Sequence, residues 1–362
     1  MAFSCQSLTG FTIRLQYNKK MNIKELSKSQ YRVHFLDVKD ADAIIIAYKS
    51  NALAKKWFLA LVDAGNVSDS QKIKNFLNRI YETSVIDLAI CTHPDSDHKG
   101  GFFGLLEDDD VVIKEFWFKD LCKAIDENEF TRMKRKDSKL EACRKAYNHP
   151  SNSSKNIIDL AHRKCEKVYH VEQGWKHDTI PLTVLGPSNE YFKEAAIGIV
   201  QNYAELTITP DLKPYDENAE ITEDSARSVI NEENEESYTN MASIVLLFKP
   251  NEHFKILLTG DASCSSLIDI HKTFAEETMG CILKVPHHGS RRNMNTDLID
   301  SLCPTCAIIS AAGNEKHPNN NLVYYLSKYC NVYSTHKSGE LLYNSNNQGN
   351  KANPLRKKMT PK

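Results

Sequence analysis

The stretch Thr92-His93-Pro94-Asp95-Ser96-Asp97-His98-Lys99-Gly100-Gly101 follows directly on the apolar run Val85-Ile86-Asp87-Leu88-Ala89-Ile90. Four candidate ligands, His93, Asp95, Asp97 and His98, fall within six residues at the end of an expected buried strand. Strand side chains alternate between faces, so a strand cannot aim four such groups one way. A loop leaving the strand end can fold them around an ion. Carboxylate oxygens and neutral imidazole nitrogens suit Zn, Mn or Fe. A polar turn after a strand accounts for one or two such residues, but not for four followed by two glycines.

The rest of the chain supplies a core but no class of partner. Of 362 residues 41% are hydrophobic, and 46 basic side chains face 47 acidic ones, so net charge is uninformative. No run approaches the ~18 apolar residues of a membrane span, and the N-terminus lacks a charged-then-apolar signal pattern. A cytosolic (cytoplasmic) protein is expected. The cysteines are scattered. Cys91, Cys281 and Cys330 lie in apolar runs and read as buried, reduced thiols. Cys303-Pro-Thr-Cys306 is a single CxxC without the second pair that a zinc site requires.

Strand-like and helix-like segments alternate. Tyr31 to Val38, Ala43 to Tyr48 and Trp57 to Asp63 read as successive strands, and Val85 to Cys91 feeds the ligand loop. Ile73, Phe76, Leu77 and Ile80 give 69–81 a helical period. Val111 to Phe118, Pro181 to Leu185, Ala242 to Phe248, Phe254 to Leu258, Ile282 to Val285 and Ala307 to Ser310 read as further strands, and a final strand pair spans Val332 to Tyr343. This pattern implies an α/β fold with one domain over 31–345. Residues 1–30 are expected to form an extension outside the core, with Met21 as an alternative start. One insertion near 119–170 is helical and basic. Another near 189–238 is acidic and expected to be mobile, its stretch 211–237 solvated rather than core. Residues 346–362 are expected to be a basic, disordered tail.

Three more constellations recur at strand ends. Asp261 follows Leu257-Leu-Thr-Gly, His287-His288-Gly289-Ser290 follows Lys284-Val-Pro, and His317 lies beyond the next strand. Loops beyond strand ends of an α/β sheet converge on one rim, where sites form. Lys284, in mid-strand, is expected to point elsewhere.

These motifs together resemble the metallo-β-lactamase superfamily. Within it the chain is similar to the soluble metallohydrolase domain of ComEC-type competence proteins and their stand-alone relatives. The matching segments are His34 to Asp42, Leu61 to Gly65, Thr92 to Gly101, Ser243-Ile-Val-Leu246, Leu258 to Asp261, Val285 to Ser290 and His317-Pro318. The resemblance implies a four-layered αββα sandwich with two divalent ions between the sheets. It places His93 and Asp95 at one ion, Asp97 and His98 at the other, and Asp261 between them. One of His287 or His288 would complete the second set, with His287 favoured because it lies nearer the strand end. Asp63 matches the family's first-motif aspartate and would support the ligand loop without touching metal. Two positions depart from the pattern: Asp95 replaces a histidine, and Asn240 stands where another is usual, with His170 and His177 further upstream. Both changes harden the donor set and shift preference from Zn toward Mn or Mg. Mn or Zn is expected, with Mg open.

Two divalent ions suit hydrolysis of a phosphodiester, because they supply a bridging hydroxide at neutral pH and stabilise an in-line displacement. The expected activity is a DNA nuclease. Whichever of His287 and His288 is not a ligand would join Ser290 and His317 in binding phosphate or protonating the leaving oxygen. A basic cluster including Arg132, Lys134, Arg135, Lys136, Lys139, Arg144 and Lys145 could track a nucleic-acid backbone or form a solvated helix face. Hydrolysis of a small phosphodiester, lactone or thioester is the alternative. A metal-stabilised, non-enzymatic subunit of a partner protein is a further one. A protein partner could also direct the activity.

Overall fold

The computed structural model describes residues 31–50, 56–202, 215–216, 218–233, 236–313, 317–345 and 352–359. The expected extension at 1–30 lies outside them. Several strands are apolar on both faces, as in Ile44-Ile45-Ile46 and Leu59-Ala60-Leu61-Val62, so each must be covered twice. The chain meets this demand with two stacked sheets and helices on both outer surfaces.

In chain order the strands are β1 (Tyr31–Phe35), β2 (Ile44–Tyr48), β3 (Phe58–Val62), β4 (Val85–Ile90), β5 (Val112–Phe118), β6 (Asn148–His149), β7 (Asn152–Asn156), β8 (Lys167–His170) and β9 (Leu182–Gly186). They continue with β10 (Val245–Asn251), β11 (Phe254–Leu258), β12 (Ile282–Lys284), β13 (Cys306–Ile309), β14 (Val332–Ser334) and β15 (Leu341–Asn344). The first sheet runs β15-β1-β2-β3-β4-β5-β8 and the second β14-β13-β12-β11-β10-β9. In each, antiparallel strands lead into a parallel set, β3-β4-β5-β8 and β11-β12-β13-β14.

Alternation then sorts the side chains. Val33, Phe35, Ile44, Ile46, Leu88 and Ile90 meet Leu246, Phe248, Ile256, Leu258 and Ile308 between the sheets. Ile45, Leu61, Ala89 and Phe116 face outward onto Ile73, Phe76 and Leu77 of helix α1 (Ser70–Tyr81) and Phe102, Phe103, Leu105 and Leu106 of α2 (Ser96–Glu107). Leu247, Leu257, Leu283 and Ile309 face the helices that follow Asp261. The result is the expected four-layered αββα sandwich.

Several expectations need correction. β14 and β15 do not pair: β14 closes the edge of the second sheet, while β15 returns to the first beside β1. The insertion after β5 holds helices α3 (Lys139–Lys145) and α4 (Ile157–Lys164), but also the β6–β7 hairpin and the edge strand β8. After α5 (Asn189–Asn202), part of the acidic stretch is core: α6 (Glu223–Ile230) places Ala226 and Ile230 four residues apart on one face and buries both. The tail is not all free chain either. Leu355 is buried, and Arg356 exchanges backbone hydrogen bonds with Val332.

Candidate metal centre

The ligand motif is half loop and half helix. Residues 92–94 leave β4, Asp95 is the extended residue ahead of α2, and Asp97 and His98 lie in that helix's first turn. Asp97 thus sits at the positive end of the helix dipole. Asp95 makes no side-chain bond to the helix terminus; instead its Oδ2 accepts from Thr239 Oγ1 at 3.0 Å. The two glycines have a steric cause. A Cβ on Gly100 would lie 2.5 Å from Val67 N, and one on Gly101 would run into the Ala64 carbonyl oxygen. Their absence lets α2 press on the loop after β3, where His98 O accepts from Ala64 N at 2.8 Å.

Each imidazole is backed by a named group. Asp63 is buried and accepts at Oδ1 from Thr92 N (2.8 Å), and at Oδ2 from Thr92 Oγ1 (2.7 Å) and His98 Nδ1 (2.8 Å). Because Thr92 Oγ1 spends its proton on Asp63, it accepts from His93 Nδ1, 3.0 Å away. His288 Nδ1 donates to Ser310 O at 2.9 Å. All three rings therefore hold their proton at Nδ1 and turn Nε2 inward, the tautomer a metal requires.

Those Nε2 atoms converge on carboxylates. His98 Nε2 lies 3.3 Å from Asp261 Oδ1, and His93 Nε2 lies 3.6 Å from Asp95 Oδ2 and 4.0 Å from Asp261 Oδ2. His288 Nε2 lies 3.1 Å from Asp97 Oδ2 and 3.8 Å from Asp261 Oδ2. The Nε2 atoms of His93 and His98 are fully buried and have no hydrogen-bond partner. Orphaned buried nitrogens of this kind are costly, and a cation bound there would relieve them. The donor set therefore fits divalent metal. Asp97, His98, Asp261 and His288 lie close enough to share one ion.

The electrostatics agree. Burial alone would raise Asp97 and Asp261, but the surrounding imidazoles hold both below the usual carboxylate range. Burial would lower His98 and His288, but Asp261 foremost, with its neighbouring carboxylates, holds both above the usual value. Each set thus favours the charged form of the other.

His287 and His288 both adopt left-handed backbone, at φ 47° and 52°, followed by Gly289 at 84°. Strained non-glycine residues of this kind concentrate at functional sites. The turn sends the two rings different ways. It is His288, not His287, that meets Asp97. His287 Nε2 lies 3.9 Å from Asp261 Oδ2 with its side chain 29% exposed, while Nδ1 lies 3.0 Å from Asn293 Oδ1 and 3.1 Å from Asn240 Nδ2. Asn240 therefore touches a histidine of the site. Burial lowers the His287 pKa. The His317 ring is 5.2 Å from that of His287. Ser290 is buried, and its hydroxyl accepts from Arg292 N at 3.3 Å, which shapes the turn. His170 accepts from Asp120 N and His177 from Thr179 N.

Sequence reasoning missed two site residues. Lys284 does not point elsewhere. It is fully buried between the sheets, pairs with Asp42, and lies 3.7 Å from Asp261 Oδ1. Alternation could have found it, since Lys284 shares a strand face with the inter-sheet Ile282. Among the basic residues, Arg135 and Lys145 are paired with Asp137, Lys139 with Glu127 and Arg144 with Asp159, leaving Arg132, Lys134 and Lys136 exposed.

The described residues thus define an αββα sandwich with a histidine–aspartate metal centre at the rim between its sheets. No family model matches the chain, and no curated protein does. Among solved structures, it is similar to MEM-A1, a subclass B3 metallo-β-lactamase isolated from a soil metagenome library, at 11% identity and a TM-score of 0.32 over 82% of this chain and 92% of that one. No helix among the described residues is long and apolar enough to cross a membrane.

Proposed function

We propose that the chain is a metal-dependent hydrolase of phosphodiesters, with DNA as its substrate. The observation that carries this reading is the pair of buried, unpartnered Nε2 atoms of His93 and His98, facing three carboxylates within 4.0 Å. His93 and Asp95 would hold one ion, Asp97, His98 and His288 a second, and Asp261 would serve both. Mn fits the carboxylate-rich set best, with Zn next. When bound, such a pair supplies a nucleophilic water at neutral pH and stabilises the oxygens of an in-line displacement.

The chain's own groups do the rest. His287, partly exposed and pinned through Nδ1, is placed to exchange a proton with a bound ester, and His317 stands beside it. The insertion after β5 abuts the ligand loop, because Lys99 Nζ bridges the carbonyl oxygens of Pro94 and Ala146. Arg132, Lys134 and Lys136 on that insertion supply the charges free to meet a phosphate backbone. That four of its basic residues are already paired with carboxylates favours a second reading, hydrolysis of a small phosphodiester.

The test is cleavage of linear and circular, single- and double-stranded DNA by metal-stripped protein resupplied with Mn, Mg or Zn, with Asp97→Ala alongside. Cleavage by the wild type alone, strongest with Mn, is expected. Intact polymers under every metal, with turnover of a cyclic dinucleotide or a small aryl phosphodiester, would replace DNA by the smaller substrate.

A further inference from the structure

The floor of the metal centre holds an ion pair that the proposed chemistry does not use. Lys284 ends β12 in the second sheet, and Asp42 precedes β2 in the first. The Lys284 ammonium is fully buried; it contacts Asp42 Oδ2, donates to Gly260 O at 2.8 Å and lies 3.7 Å from Asp261 Oδ1. Asp42 is 1% exposed, and its Oδ2 also lies 3.8 Å from His98 Nδ1. One cation thus spans the sheets and touches the carboxylate that both ions would share.

Such an arrangement is expensive as pure scaffolding. A buried ion pair returns little net stability over an apolar pair of the same volume. Ile282, on the same face of the same strand, shows that the neighbouring position takes an apolar residue. Burial disfavours the Lys284 charge, but Asp42 and Asp261 more than offset it. The ammonium's position is fixed from both sides, by Asp42 of the first sheet and by the Gly260 carbonyl of the second.

We propose that Lys284 and Asp42 are positioning residues that set the centre's affinity for divalent metal. Lys284 orients Asp261 and competes with the ions for its negative charge. Asp42 draws that ammonium back toward the first sheet and limits the competition. The inference rests on the proposed metal centre and adds to it a device that keeps the ions from binding too tightly.

Opposite signs distinguish this from a structural role. A unit charge a few Å from a divalent ion changes its affinity by about tenfold even at the dielectric constant of water. Lys284→Gln removes a repulsion, so Mn should bind at least about tenfold tighter. Asp42→Asn keeps the shape but removes an attraction, so Mn should bind at least about tenfold more weakly. The double variant should return close to wild type. The experiment is calorimetric titration of metal-stripped full-length protein with MnCl2, with circular dichroism and thermal melting on each variant. Weakening in both single variants, in step with lost thermal stability, would mean a merely structural pair and overturn the proposal. So would unchanged affinity in Asp42→Asn, the arm that stands alone if Lys284→Gln does not fold. Wild-type protein that binds no Mn, Zn or Mg would bring down the metal centre itself, whereas wild-type binding with unresponsive variants would overturn only the role of the pair.

Discussion

Replacing Asp63 by Asn tests whether the tautomer of His98 is held from behind. Asp63 has a left-handed backbone, φ 57°, which asparagine tolerates, so the substitution keeps the shape. Its Oδ1 faces the Thr92 amide at 2.8 Å, a donor, so the amide oxygen must stay on that side. The new NH2 then takes the place of Oδ2, 2.8 Å from His98 Nδ1. It donates to Nδ1, moves the imidazole proton to Nε2, and blocks the atom aimed at Asp261. The lost bond to a carboxylate is worth about 1.5–3 kcal/mol, and loss of such a backing group costs about 10–100-fold in metal affinity. At 1.4 kcal/mol per tenfold that is about 1.4–2.8 kcal/mol. Competition with a chromogenic chelator measures the affinity, and circular dichroism checks the fold. A folded Asp63→Asn protein that binds Mn as tightly as wild type would show that Asp63 does not hold the His98 tautomer.

Other outcomes follow from the same geometry. His98→Ala or Asp97→Ala should reduce hydrolysis at least about 10²–10³-fold while leaving the melting profile of metal-free protein folded; retained turnover in a purified variant would move the chemistry elsewhere. Gly101→Ala should destabilise by about 1–3 kcal/mol in urea titration, because its Cβ meets the Ala64 carbonyl; an unchanged midpoint would show that the helix can retreat freely. The stability that His98 and His288 lend to metal-free protein is fully present below about pH 6.5 and lost as pH rises through their raised values. That of Asp97 and Asp261 is present above about pH 3.9 and lost as pH falls through their lowered ones. Urea midpoints of metal-free protein should therefore level off between these limits and decline on the alkaline side, and a rise there would contradict the assignment. At a free concentration a hundredfold above Kd, bound metal should add about 2.7 kcal/mol per site, visible as a lower melting temperature after chelation.

What the sequence disclosed and what it hid have physical reasons. The ligand loop was legible because His93, Asp95, Asp97 and His98 crowd one strand end, and the α/β class because strand-like and helix-like runs alternate; the four-layered sandwich was implied only by the family resemblance that the motifs carry. β8 was hidden because Lys167-Val-Tyr-His170 is a partly exposed edge strand with a mixed pattern. The choice between His287 and His288 turned on two positive φ angles, which no residue type announces. Alternation puts Lys284 on the inter-sheet face, but its pairing with Asp42 was hidden because the two belong to different sheets and lie far apart in sequence. The acidic stretch misled because its charge masks the two apolar residues, Ala226 and Ile230, that anchor α6.

The place of β15 beside β1 has a consequence for biosynthesis. Val33 pairs with Tyr343 and Phe35 with Leu341, so the outer edge of the first sheet is completed by residues some three hundred positions later. Until they emerge from the ribosome, β1 presents an open row of amide and carbonyl groups beside buried apolar side chains. Edges of that kind recruit other chains. Loss of the chain from Leu341 onward would leave all the centre's ligands in place and make β1, apolar and buried along its whole length, the new edge of the sheet.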